Sequence, residues 1–418
     1  MSTQGVNNRF LTDDIIVKEA LRLLKNNLVA APLVHRDLER RFAKVGDVIS
    51  LEKPFRTKTA AGRTLQKQPM IDQKIPFNIN RQQHFGVECT VRDRTLTIQK
   101  FSERYLKSGI VQLANVVDRS ILLQLKKAFF SSGTPGTAIG TKSFHLAKAH
   151  MNNVGVPDDG MRRAILASLD AAEISDAISN KYNEGMVKKA LQKGYMGPLA
   201  GIDMFESANL PSHTVGAYSG TPLVDGASQT GSSLITDGWS VSVTGLLKEG
   251  DVFTLAGVFE INPQSYQSTG RLQHFVVTAD VDTDATVGGP ATVPISPAIN
   301  DGTLTTTDSE GTSLSLAAYQ NVSAAPADGA AISVLGTADT SYRQDYLFHR
   351  DAVALAMVDL ELPQSATVKS RVRDPDSGLS LTMTGAYDIN NQSEITRIDA
   401  VWGTHMIYPE LAHRLWSE

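Results

Sequence analysis

Five short stretches carry residue types that could do chemistry. GTAIGTKS, positions 136 to 143, has the glycines and the lysine of a phosphate-binding loop. Such a loop needs glycine directly before lysine, so that backbone N–H groups cradle the phosphates while the ammonium reaches them. Here Thr141 stands between Gly140 and Lys142, and no clear strand is expected ahead of the loop. HRDLERR, positions 35 to 41, imitates a kinase catalytic loop. Phe42 stands where the metal-binding Asn belongs, and no Asp-Phe-Gly triplet exists. A second His-Arg-Asp, at 349 to 351, lacks the same partners. His145 and His150 are five apart, which does not stack two metal ligands on one helix face. Asp280, Asp282 and Asp284 alternate as in the start of a calcium loop, without its later Gly and bidentate Glu. An acidic edge that discourages strand pairing is the plainer reading. There is no HExxH, CxxC or GxSxG. The sequence therefore predicts no catalytic, cofactor-binding or metal-ligating residue, and no enzyme.

The chain has 418 residues, 41% hydrophobic and 20% charged, enough for two or three domains with real cores. Its 32 glycines and low aromatic content favour turns and short strands. The single cysteine, Cys89, excludes an intrachain disulfide and reads as a small buried hydrophobe. No apolar run is long enough to cross a membrane as a helix, and MSTQGVNNRF lacks a signal-peptide core, so synthesis in a reducing cytoplasm is expected. Charge is uneven. Residues 221–340 hold two basic and thirteen acidic residues, a net of −11, which leaves +7 for the rest of a chain of net −4. That asymmetry marks the middle as a separate unit with its own surface.

The elements that would position any site are read from periodicity. DDIIVKEALRLLK, 13 to 25, places Ile15, Ile16, Ala20, Leu23 and Leu24 on one side of a helix, an arm that must dock on something. Residues 46–94 read as a long hairpin-like excursion with little apolar mass, marginal alone in water. From Ser102 to Ser131, Leu106, Ile110, Leu113, Val117, Ile121 and Leu125 recur at helical spacing, predicting a rod of roughly 45 Å. MRRAILASLDAAEISDAI and EGMVKKALQK, within 160 to 193, read as further helices. Between about 220 and 338 come short strands, and GDVFTLAGVFEIN, 250 to 262, reads as a tight hairpin around Gly257. This predicts a small all-β, barrel-like insertion. SLTMTGAYD and ITRIDAVWGTHMIYP read as paired strands near the end.

Four stretches, in this order, carry a resemblance: GYMGPLAGIDMFESANLP at 194 to 211, GLLKEGDVFTLAGVFEIN at 245 to 262, FHRDAVALAMVDLELP at 348 to 363, and the closing ITRIDAVWGTHMIYPELAHRL. The chain resembles the major capsid proteins of tailed bacteriophages with the HK97-like fold, and more narrowly the phage P22 coat protein family. The resemblance implies an α+β fold: an N-terminal arm (1–45), an extended loop (46–95), and a peripheral domain with a long spine helix (96–154 and 365–418). It further implies an axial domain (155–220 and 340–364), in which FHRDAVALAMVDLELP is a strand–helix segment, and an inserted β-domain (221–339). The segment 225–238 is short and poor in charge where relatives bridge capsomers.

The implied function is self-assembly into the icosahedral head shell that encloses double-stranded DNA, contacted without sequence reading. The implied partners are further copies in hexamers and pentamers, a scaffolding protein and a portal protein, with no membrane. The product is a virion component assembled in the host cytoplasm, with no cofactor. A subunit of this kind leaves its arm and loop to be completed by neighbours. Phe55, Met70, Ile75 and Phe77 are expected to pack on another chain, with Arg56, Lys58, Arg63 and Lys67 meeting acidic patches there. The alternatives are a cellular compartment shell of the same fold, and a β-rich tail protein, which would need a fibrous repeat or coiled coil that is absent.

Overall fold

The computed structural model describes residues 13–36, 48–59, 61–63, 67–71, 73–90, 107–179, 198–283, 289–307, 311–364, 366, 368–374, 378–391 and 393–418. The chain divides into two units. One is built from Met1–Ser50, Pro76–Ile121 and Ala354–His405, the other from Leu51–Ile75, Leu122–Val353 and Met406–Glu418.

In the first unit the arm helix, Asp13–Asn27, buries Ile16, Val17, Ala20, Leu21 and Leu24. That stripe packs on the strands Val368–Arg373 and Ser380–Asp388, so the arm docks on its own chain. Ser380–Asp388 and Ser393–Met406 pair antiparallel, as the sequence predicts. Arg81–Thr90 runs along the other side of Ser393–Met406 for ten residues. The Cys89 side chain lies outside the described residues.

The long helix runs Lys107–Gln124 and tightens into a 3-10 turn, Leu125–Lys127. Residues 102–106 lie outside the described residues; the 18-residue helix is about 27 Å long. It stops short of Ser131 because Phe130–Ser132 is a strand, paired in parallel with Ala412–Trp416. Ile110, Leu113, Ala114, Val117 and Ile121 are buried. Asp118, on this helix, accepts backbone N–H groups of Val29 (2.6 Å), Ala30 (3.1 Å) and Ala31 (3.2 Å). Burial nonetheless pushes its carboxyl up to about 6, because desolvation outweighs those three bonds.

The second unit holds a five-stranded sheet. Its order is Phe130–Ser132, Ala412–Trp416, Gln344–His349, Arg162–Leu166, Asp203–Glu206. Arg162–Leu166 corrects the helix expected across 160–178. The run RRAIL fits either period, but it is buried along its length between two strands, and the helix begins only at Ser168–Ser179. EGMVKKALQK lies outside the described residues. The expected strand–helix over 348–363 is also corrected. Gln344–His349 and Val353–Val358 are both strands, joined by a one-turn bend, and every residue of both is buried. Val353–Val358 has no polar side, which suits a strand buried on both faces and not a half-wet helix.

The predicted insertion is a barrel. Its strands run in the order Ile332–Val334, Val252–Ile261, Ser268–Val277, Ala291–Ile299, Gly231–Trp239, Gly220–Val224. The ring closes where Val224 N donates to Ala330 O (3.0 Å) and Gly329 N to Val224 O (2.9 Å). Phe253 stacks on Phe275 at 5.8 Å, inside a core with Leu234, Trp239, Leu255 and Ile299. The hairpin expected around Gly257 is instead one continuous strand. Gly257 takes φ +80° with open space around it, and the pairing with Ser268–Val277 slips in register across it and resumes. One left-handed glycine makes a bulge; a two-residue hairpin turn would have reversed the chain there.

Candidate assembly surface and polar joint

The motifs that imitate enzymes are occupied by structural bonds. Contrary to expectation a strand, Phe130–Ser132, does precede the 136–143 loop. The Ile139 N–H in that loop donates to the Glu173 carboxylate (3.0 Å), so an acid sits against a donor that a phosphate would need. His349 is hydrogen-bonded to Asp159 (3.1 Å), and its Nδ1 accepts from Asp351 N (3.3 Å), which fixes the bend after its strand. Residues 37–41 of the other His-Arg-Asp stretch lie outside the described residues, as does Asp284. Asp282 and Asp280 accept from Gly245 N (2.6 Å) and Glu249 N (2.8 Å), holding turns of the barrel. Among the described residues no group of three His, Cys, Asp or Glu could hold a metal ion.

The loop between Val48–Glu52 and Lys74–Asn78 is where the sequence places the intersubunit residues. Those two strands pair as a ribbon, and Lys53 N donates to Gln73 O (2.9 Å) just beyond it. Farther out, the Gln68 side chain clamps the Lys58 backbone, accepting its N–H (2.8 Å) and donating to its carbonyl. Phe55 is 39% exposed and Met70 78% exposed; Arg63 and Lys67 are exposed, Ile75 half-buried. Two expectations are corrected for this chain. Phe77 is fully buried against His405, at 6.3 Å between rings, so its own chain takes it up. Arg56 meets an acid of its own chain, Glu410 (3.1 Å), while its N–H donates to Tyr319 Oη (3.3 Å). Lys58 lies over the Tyr266 ring at 4.4 Å and reaches Gln320 (3.5 Å). Arg56 and Lys58 are thus tethered at home, while Phe55 and Met70, between the ribbon and the Gln68 clamp, keep apolar surface in water.

Where the barrel joins the five-stranded sheet, the polar groups are buried and closely matched. Asp251, at the turn before Val252–Ile261, accepts from Gly216 N (3.0 Å) and Lys248 N (2.8 Å) and is hydrogen-bonded to His213 Nε2 (2.7 Å). Burial depresses the His213 pKa, against the pull of Asp251. Arg414, fully buried, donates to the carbonyls of Gly250 (2.7 Å), Ala128 (3.1 Å) and Lys126. Its guanidinium pKa is lowered by desolvation.

A second cluster runs in a line. Ser132 Oγ is 2.8 Å from His413 Nε2, His413 Nδ1 is 3.2 Å from His150 Nδ1, and His150 Nε2 is 2.8 Å from Glu260 Oε2. Serine, histidines and a carboxylate in series are the parts of an acyl-transfer relay. Yet His150, Glu260 and His413 are buried, which leaves no room for a substrate at the serine's base. Burial holds His413 well below the usual imidazole range, and neighbouring His150, His274 and Arg271 push the same way. His274, bonded to Ser131 Oγ (3.1 Å), is pushed down to about 3 by burial and then by Arg271. Sequence reading considered His150 only with His145, which is exposed. Its actual partners lie 110 and 263 positions away, beyond any spacing motif.

Comparison with known proteins completes the description. Residues 6–414 match the family model described as P22 coat protein, gene protein 5. No curated protein gives a significant match. Among solved structures, a chain from Mycobacterium phage Che8 is similar over 93% of this chain and 90% of its own, at 13% identity and TM-score 0.48. The capsid of Helicobacter pylori bacteriophage KHP30 is similar over 93% and 89%, at 10% identity and TM-score 0.41. The CUS-3 coat protein I-domain is 27% identical over 28% of this chain and 98% of its own, at TM-score 0.18.

Proposed function

The chain belongs to the P22 coat protein family and is a tailed-phage major capsid protein, the subunit of the head shell; we propose that its loop 51–75 is completed by a neighbouring copy. The observation that carries this reading is the apolar surface left open between the ribbon and the Gln68 clamp. Met70 is largely exposed and Phe55 partly so, while the barrel beside them has a complete core of its own. A monomer gains nothing from holding a methionine in water. Burying it on another copy recovers roughly 25 cal/mol per Å² of apolar surface, multiplied over every subunit of a closed shell. Ile75 extends the same surface, and Arg63 and Lys67 offer positive charge at its rim for an acidic patch on the neighbour.

The α+β architecture is consistent with the HK97-like plan of arm (1–45), extended loop (46–95), peripheral domain (96–154 and 365–418), axial domain (155–220 and 340–364) and inserted barrel (221–339). The charge distribution supports a barrel that faces outward. With −11 placed there, the rest of the subunit carries +7, which suits a wall facing packaged double-stranded DNA held without sequence reading. No helix among the described residues is long and apolar enough to cross a membrane. Assembly in the host cytoplasm, on a scaffolding protein and around a portal, completes the reading.

The test is deletion of residues 56–74 in the full chain, expressed with and without a candidate scaffold and viewed by negative-stain electron microscopy. The expected result is a folded monomer with the wild-type circular dichroism spectrum and no closed particles. Closed shells of normal size from the deleted chain overturn the role of the loop. Particles that contain double-stranded DNA when assembled in cells distinguish a viral head from an empty compartment shell.

A further inference from the structure

The line Ser132–His413–His150–Glu260 crosses from the sheet domain to the barrel. Ser132 and His413 stand on neighbouring sheet strands, His150 on the helix Thr141–Val154, and Glu260 near the end of the barrel strand Val252–Ile261. Three hydrogen bonds join four side chains, and each bond has room for one proton. With both imidazoles neutral, Ser132 donates to His413 Nε2, His413 Nδ1–H donates to His150 Nδ1, and His150 Nε2–H donates to the carboxylate. Add one proton, and the two upper bonds reverse without a heavy atom moving. His150 becomes the imidazolium paired with Glu260, its Nδ1–H donates to His413, and His413 Nε2–H donates to Ser132.

A second proton has no place. On His413 it would set two N–H groups head to head across 3.2 Å. On Glu260 it would fall either between two donors or on Oε1, a buried atom with no hydrogen-bond partner. The surroundings offer no relief. His274 and Arg271, from Ser268–Val277, both push on His413, and Arg414, from Ala412–Trp416, pushes on His274; each adds or can add only positive charge. Strand Phe130–Ser132 contributes Phe130, packed edge-on to His150 at 4.4 Å, and two serines; strand Gln344–His349 sets Leu347 beside His413. Unpaired charge in such a site costs far more than a hydrogen bond repays.

We propose that this line is a proton-counting clasp: it holds the barrel on the sheet domain while it carries no or one added proton, and releases the barrel when a second arrives. The sign follows. Imidazoles that are free in the open state take up protons as the pH falls below about 6.5, and the closed state refuses the second one, so closure weakens with falling pH. The inference stands apart from the assembly role, since it concerns one subunit.

The experiment is hydrogen exchange of the full-length monomer, read by mass spectrometry from pH 7 to pH 4.5 and corrected for intrinsic rates. Protection in 141–154 and 257–262 falls at least tenfold across that range, with a dependence on one proton once the closed line carries its first, while 252–256 and 274–277 in the barrel core stay protected. In Glu260→Gln the amide accepts from neutral His150 but cannot balance the imidazolium, so the closed line takes no proton, release moves to higher pH and opening follows both imidazole protons. In His413→Phe the profile is flat. Should the phenylalanine variant not fold, the glutamine variant decides alone. Joint protection that persists until the barrel core also opens, or a Glu260→Gln profile that overlays the wild type, overturns the clasp.

Discussion

The barrel and the 51–75 loop lie in the same unit and are completed in opposite ways. The barrel buries Phe253, Leu255, Phe275 and Trp239 on each other and closes its hydrogen-bond ladder into a ring, which removes its edges. The loop keeps its order through one ribbon, the Gln68 clamp and two basic tethers, and turns Phe55 and Met70 outward. A region with its own core spends its apolar residues on itself. The loop, which we propose joins copies, leaves Phe55 and Met70 partly in water and is pinned by polar contacts beside them. On the proposed reading, low apolar mass in this long excursion marks structure shared between copies.

That contrast can be broken at three levels. The largest effect belongs to Phe253→Ala, which empties the centre of the barrel beside Phe275. We expect a loss of about 3–5 kcal/mol in urea unfolding of the monomer. A loss below about 1 kcal/mol would mean that the barrel does not hold its own core. Next is Lys58→Ala, which removes the cation over Tyr266 and the bond to Gln320. Monomer stability should fall by no more than about 0.5–1 kcal/mol, while proteolysis within 54–63 becomes faster at unchanged global stability. Equal protease resistance would show that the tether does not order the loop. Smallest in the monomer is Met70→Gln, expected within about 0.5 kcal/mol of wild type by unfolding. Its effect should appear only in light-scattering assembly kinetics, as slower or absent shell formation. A variant that assembles at the wild-type rate would remove Met70 from the contact.

Some local features were legible before any coordinates. The arm helix over 13–25 follows from apolar residues at helical spacing, and the structure buries Ile16, Ala20 and Leu24 of that stripe, half-buries Leu23, and adds Val17 and Leu21 to the buried face. The pairing of SLTMTGAYD with the closing strand follows from alternation and proximity in sequence. Two other features were misread for one reason: AVALAMV is apolar on every side, RRAIL follows two arginines with three apolar residues in a row, and neither run carries a period by which helix and strand differ. The loop residues were legible as a set but not in their allegiance. Phe77 and Phe55 are both phenylalanines in one excursion, and only the fold tells that the first is fully buried beside His405 while the second keeps 39% of its surface exposed.

Sequence alone determined the α+β composition, the segregated acidic middle and the presence there of a small β-unit, because composition, charge and short-range alternation are local quantities. Tertiary structure decided the closure of that barrel through Val224 and Ala330, the tether of Arg56 to Glu410, and the line from Ser132 to Glu260. These join residues more than one hundred positions apart. A side chain's identity states what bond it can make, but chain folding alone sets which partner stands at bonding distance with water excluded.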